Sequence, residues 1–251
     1  MALAFLVNLL TARYLGPSNY GLVNYAALYT AFFTSFATLG LSSLLLKDFM
    51  DDPEGAGTTV GTAIAMRLLS STLSAVSILA IVAAVDRGER LTMTVVALYS
   101  MSLIFQAFDT IQYWFQSRLE SKYATIATSV GYIIVSFYKV LLLVLGKDVR
   151  WFAISNTIDY AVAAIVFLGL YKWRGGPRLH ISPAKGRALL RQSGSFILCG
   201  LMVSVYNCTD RFMLKHLLDE ASVGYYATAT SLATVWTFVL SAIIDSITPG
   251  I

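Results

Sequence analysis

Chemistry in this sequence is concentrated in a few charged side chains that interrupt long apolar runs. Arg67, Lys139 and Arg211 are the cations in such runs, Asp109, Asp159 and Asp210 the carboxylates, and Asn207 and Lys215 accompany Arg211. Charge inside an apolar helix is costly, so it faces a bundle interior or a wet cavity. Residues three and four apart share a helix face. Gln106, Asp109, Tyr113 and Gln116 form one stripe, and Asn156 and Asp159 a second. Ser204, Asn207, Arg211 and Lys215 form a third with Asp210 beside it, and Thr230, Thr234, Thr237, Ser241 and Asp245 a fourth. Several polar-faced helices together imply an aqueous cavity, which a structural anchor does not need. Plainer expectations stand beside this one. Arg67 and Lys139 lie within two turns of predicted span ends, where snorkelling to the head groups is the favoured behaviour. Ser and Thr stripes also serve simply to glue helices together.

No nucleophile, base and acid are grouped, and no Gly-rich loop is placed to cradle phosphate. The two histidines, His180 and His216, lack neighbours at metal-ligand spacing. No catalytic residue, metal or cofactor is assigned, and an enzyme is the weaker class. Cys199 and Cys208 share one apolar run. On a helix they would stand roughly 13 Å apart along the axis, too far to bridge.

The elements that must position these groups follow from composition. Of 251 residues, 57% are apolar and 13% charged. That is about half the charged share of a soluble domain, too little to cover a water-facing surface. A membrane-spanning helix needs about 20 mainly apolar residues. Eight segments approach this: 1–12, which is too short alone, then 20–46, 61–85, 91–114, 124–145, 151–171, 194–217 and 223–244. Runs this long without alternation are helices, since backbone in lipid must satisfy itself. The expected fold is all-α, a polytopic transmembrane bundle. Short connections carry turn residues, as in Gly16-Pro17-Ser18-Asn19 and Asp86-Arg87-Gly88-Glu89-Arg90. Residues 183–192 read as a short helix in the membrane interface. Trp114, Trp151 and Trp173 lie at span ends and read as interface anchors. The N-terminus lacks a basic stretch, so it reads as a span and not a signal peptide.

Six of the eighteen Lys and Arg residues fall between Lys172 and Arg191. Apolar runs flank this cluster on both sides, which argues for anionic lipid head groups and against nucleic acid. The loops holding Lys47, then Arg118 and Lys122, then the cluster carry nine cations. The alternate loops carry six: Arg13, Arg87, Arg90, Lys147, Arg150 and Lys215. The excess places the first set in the cytoplasm. A weak internal repeat relates Arg13-Tyr-Leu15 and the turn before Gly21 to Lys215-His-Leu217 and the turn before Gly224, at an offset of 202 to 203 residues. Transporters are often built from such repeats.

At Ala12-Arg13-Tyr14-Leu15-Gly16-Pro17-Ser18-Asn19-Tyr20-Gly21 the chain resembles the polysaccharide flippases of the multidrug/oligosaccharidyl-lipid/polysaccharide exporter superfamily. Gln112-Tyr113-Trp114-Phe115-Gln116 is similar to that family's stretch ending helix four. Asp210-Arg211-Phe212-Met213-Leu214 with Val223-Gly224-Tyr225-Tyr226-Ala227 is similar to its helix seven to eight junction. The resemblance implies two six-helix lobes around a cavity and alternating access. It implies a transporter, not an enzyme, that turns polyprenyl-diphosphate-linked oligosaccharide across the cytoplasmic membrane. Partners are then the lipid-linked oligosaccharide, membrane lipids and other polysaccharide-assembly membrane proteins. On that pattern Arg211, Lys215, Arg67, Lys139 and Asn207 are the substrate-binding candidates. Asp210, Asp109 and Asp159 are the balancing or ion-coupling carboxylates. Domains are expected at 1–171 (first lobe, its first helix clipped), 172–193 (basic amphipathic linker) and 194–251 (start of the second lobe). The shortfall from twelve helices reads as an N-terminal fragment. The alternatives are a drug/cation antiporter of the same superfamily, which needs a carboxylate-dominated cavity, and a membrane-embedded glycosyltransferase or polymerase. The last needs a catalytic loop rich in Asp, Glu or His, and the longest loop here offers only His180.

Overall fold

A computed structural model describes residues 2–233. Helices account for nearly all of them, and no strand occurs among the described residues. In chain order they are α1 (Ala2–Ala37), α2 (Ser42–Asp51), α3 (Ala56–Val85), α4 (Arg90–Ser117), α5 (Ser121–Val144), α6 (Val149–Trp173), α7 (Pro183–Leu217) and α8 (Glu220–Ala233). Five of them, α3 to α7, are long and apolar enough to cross a membrane. These are the third to seventh expected segments.

Three boundaries differ from expectation. The Gly16–Asn19 stretch is no loop: α1 bends at one residue, Gly16, with φ 72° and ψ 170°. Those angles are closed to side chains with a Cβ, and the fixed φ of Pro17 suits the start of the next helical piece. The second segment stops at Ala37, not at residue 46. Leu39 and Gly40 turn at positive φ, 55° and 57°, and α2 starts afresh. Continuous apolarity hid this break, because Leu41, Leu45 and Phe49 bury one face of a short amphipathic region. Residues 183–192 are no separate interface helix but the first turns of α7. Pro183 sits where a helix needs no N–H, and the Ser182 hydroxyl accepts from the Lys185 amide at 3.4 Å. Nothing afterwards breaks the helix. The eighth segment is seen as far as Ala233; Thr234, Thr237, Ser241 and Asp245 lie outside the described residues.

The loops sort into two ends as their alternation requires. At one end Arg174 pairs with Glu120, Lys185 with Asp48 at 2.8 Å, and the His180 amide reaches the Gly57 carbonyl at 3.3 Å. This basic end gathers the cation-rich loops. At the opposite end the Tyr14 hydroxyl reaches the Lys147 carbonyl at 3.4 Å, and Lys215 meets Glu89.

Two apolar clusters fill the bundle. The one at the opposite end takes Leu22, Tyr25, Ile78, Val82, Leu103 and Phe152. The one at the basic end takes Leu45, Ile64, Ile111, Phe115, Ala127 and Phe167. Along α3, α4 and α6 buried or half-buried polar residues lie between the two clusters. Arg67, Ser71 and Ser74 lie between Ile64 and Ile78, Gln106 and Asp109 between Leu103 and Ile111, and Thr157 and Asp159 between Ala153 and Ala163. The bundle has a polar waist.

Candidate functional site

The waist is built mostly from hydroxyls that satisfy themselves on their own helices. The Ser102 hydroxyl donates to the Tyr99 carbonyl at 2.7 Å, and the Thr110 hydroxyl to the Ala107 carbonyl at 2.9 Å. Such bonds ask nothing of a neighbour. The charged members are different. Arg67 is 2% exposed, so it does not snorkel as its position near a span end suggested. A guanidinium has five donors. Among the described residues Arg67 gives one bond, Nη1 to the Thr110 hydroxyl at 3.0 Å, and its buried Nε has no partner.

Asp109 lies close enough to act on Arg67 electrostatically, and the two form no direct ion pair. It sits in a 3-10 turn, Ala107–Asp109, that interrupts α4. A tight turn inside a long helix re-aims the side chains it carries. Gln106 donates to the Tyr160 hydroxyl at 3.4 Å, and its buried Oε1 has no partner. Asp159 acts electrostatically on both Asp109 and Lys139, whose Nζ reaches the Asn8 side chain at 3.4 Å. Lys139 is partly buried. The structure thus brings Arg67, Lys139, Asp109 and Asp159 into one layer, two charges of each sign without a direct pair. Charges held in that way in an apolar setting require water, ions or a ligand around them.

The remaining candidates lie apart, on α7. Asn207 is exposed, and Asp210 is exposed and accepts from the Tyr226 hydroxyl on α8. Arg211 is half-buried with an unpartnered Nε, and the next residue, Phe212, lines an apolar groove of about 290 Å³. That groove is lined by Leu28, Tyr29, Phe33, Val205 and Phe212, among others. Lys215 is nine-tenths covered and lies between Glu89 at 3.3 Å and Glu220 at 2.9 Å, at the end of the bundle opposite the basic loops.

Sequence reasoning missed the groups that surround Lys215. The buried Tyr25 hydroxyl lies 3.0 Å from Asp86, 2.9 Å from the Tyr29 hydroxyl and 3.3 Å from His216 Nε2. Burial is the main effect holding Asp86 above the ordinary carboxylate range, against the pull of Tyr25, Lys215 and His216. The Thr92 hydroxyl, at 2.7 Å, is the main cause that holds Glu89 below that range, with Lys215 adding to it. Asp86, Glu89 and Glu220 read as turn residues, and their only signal was that alternate loops share an end. Trp114 is another correction. It is 2% exposed, packed 4.8 Å from the Tyr171 ring under the Arg118 guanidinium, and anchors no interface. Trp151 and Trp173 are exposed at helix ends, as anchors should be.

Five apolar helices around a charged waist define a multi-pass helical membrane protein with a polar interior. The chain belongs to the family described as "Polysaccharide biosynthesis protein", whose model matches residues 1–251, and its general role is that of a membrane transporter in polysaccharide export. No curated protein and no solved structure matches it.

Proposed function

We propose that this chain forms the first lobe and the start of the second lobe of a flippase. It carries polyprenyl-diphosphate-linked oligosaccharide across the cytoplasmic membrane by alternating access, with the basic end in the cytoplasm. Residues 1–171 make the first lobe, 172–193 the link, and 194 onward the second lobe. The observation that carries the reading is the charged waist, in which a fully buried guanidinium keeps an unused donor. A structural ion pair would have closed on itself. Arg211 supports the reading, because it adjoins Phe212 of the apolar groove in the chain, and a cation so placed suits a diphosphate joined to a hydrocarbon tail. A guanidinium stays charged and holds two phosphate oxygens at once. Arg67, Arg211, Lys139, Lys215 and Asn207 serve the anionic head group in this scheme, and Asp109, Asp159 and Asp210 balance them or take a coupling ion.

The test is substitution in the full-length protein. Arg67→Gln and Arg211→Ala should each abolish outward delivery of the lipid-linked sugar while the protein reaches the membrane at wild-type level. Arg211→Lys should restore part of the delivery. Wild-type delivery by both neutral variants would refute the reading.

A further inference from the structure

Gly21 of α1 and Gly224 of α8 touch backbone to backbone. A Cβ placed on Gly21 would fall on the Glu220 carbonyl oxygen, with the Gly224 nitrogen 3.0 Å away. A Cβ placed on Gly224 would fall on the Pro17 carbonyl oxygen, with the Gly21 nitrogen 3.1 Å away. This is one contact written twice with the partners exchanged. An offset of 203 carries Gly21 to Gly224 and also Pro17 to Glu220. A contact that maps onto itself when its partners are exchanged is the mark of a two-fold axis. The residue types around Arg13–Gly21 and Lys215–Gly224 match at an offset of 202 to 203. Both helices also leave this end in the same direction, as an axis along the membrane normal demands.

In a protein of two lobes related by such an axis, the axis runs between the lobes. Two backbones in contact on it leave no passage at that end. Side chains fasten the same seam. Lys215 bridges Glu89 and Glu220, and the Ser18 hydroxyl reaches Glu220 at 3.3 Å. Tyr25 joins Asp86 to His216. These bonds tie α1 and the α3–α4 loop on one side to α7 and α8 on the other. We infer that the α1–α8 crossing at Gly21 and Gly224 is the outer gate of the transporter, shut in this structure, with Lys215 as its bolt. The inference rests on the alternating-access reading above for the meaning of the gate and on the loop charges for the word outer.

Cys208 is a built-in reporter. It lies about 10 Å below Lys215 along α7, buried with its thiol 3.9 Å from the Leu28 carbonyl. In the full-length protein freed of other thiols, an impermeant thiol reagent outside intact cells should label Cys208 roughly fivefold faster in Lys215→Gln, the population shift expected from losing a partly buried ion pair. Lys215→Arg should label near the wild-type rate. Separately, Ser18→Cys with Glu220→Cys should cross-link on oxidation, stop delivery, and recover with reductant. Unchanged labelling in Lys215→Gln, failure to cross-link, or full delivery by the cross-linked protein each overturns the gate. Loss of delivery before oxidation together with wild-type failure to deliver would sink the flippase reading instead, and the labelling result would still judge the gate.

Discussion

Arg67 offers the sharpest test of the charged waist. It is almost wholly buried, it spends one donor on Thr110, and Asp109 acts on it from beyond direct pairing distance. Two unit charges about 6 Å apart in an effective dielectric of about 20 attract by roughly 2.8 kcal/mol. Arg67→Gln removes that attraction and leaves the Asp109 charge uncompensated. Asp109→Asn does the converse, and the double variant removes both charges together. The double variant should therefore be less destabilised than the sum of the single variants by about 2–3 kcal/mol. Unfolding of the purified protein in detergent, followed by helical circular dichroism, measures each corner of the cycle. If the effects add to within about 0.5 kcal/mol, as independent sites do, the two charges do not share a layer. If Arg67→Gln costs nothing, the guanidinium reaches an aqueous interface and the burial argument fails.

Three further outcomes follow from particular residues. Gly16→Ala should cost about 1–3 kcal/mol from backbone strain alone, because φ is 72° there and an added Cβ meets nothing within 4 Å; Gly88→Ala, an open loop glycine at φ 93°, supplies the comparison by the same unfolding assay. Glu89, held low, contributes stability that is present above its ordinary value and is lost as pH falls through the lowered one; Asp86, held high, has the opposite sign, adding stability as pH falls through its raised value. Asp86→Asn should therefore raise stability near pH 7 while weakening its rise on acidification, and an unchanged profile would show that Asp86 is not buried against Tyr25. For topology, a cysteine at the exposed His180 should be shielded from an impermeant reagent outside cells and one at the exposed Arg87 should react; the reverse pattern would invert the orientation.

The candidate site was legible in part. A charge inside an apolar run needs no alignment to stand out, so Arg67, Asp109, Lys139, Asp159 and Arg211 were all visible. Their grouping was not. Helical spacing assigns residues to one face of one helix, but it is silent on which helices face one another. Arg67 therefore read as a snorkelling side chain and proves to be buried against Thr110 from α4, more than forty residues away. The Lys215 cluster shows the same limit, since Glu89 and Glu220 look like ordinary turn residues until two loops meet.

Composition and run length alone determined that this is a multi-spanning helical protein, because lipid leaves the backbone no other way to satisfy its hydrogen bonds. Charge in the loops ordered them by side, and the early Ala12–Gly21 segment pointed to the family. Only the tertiary structure decided that α1 bends at one glycine, that α2 breaks an unbroken apolar run, and that two glycines 203 residues apart lie in contact. Those are decisions of close packing, in which the absence of a side chain matters as much as its chemistry, and nothing in a one-dimensional pattern records which backbone comes to fill the space.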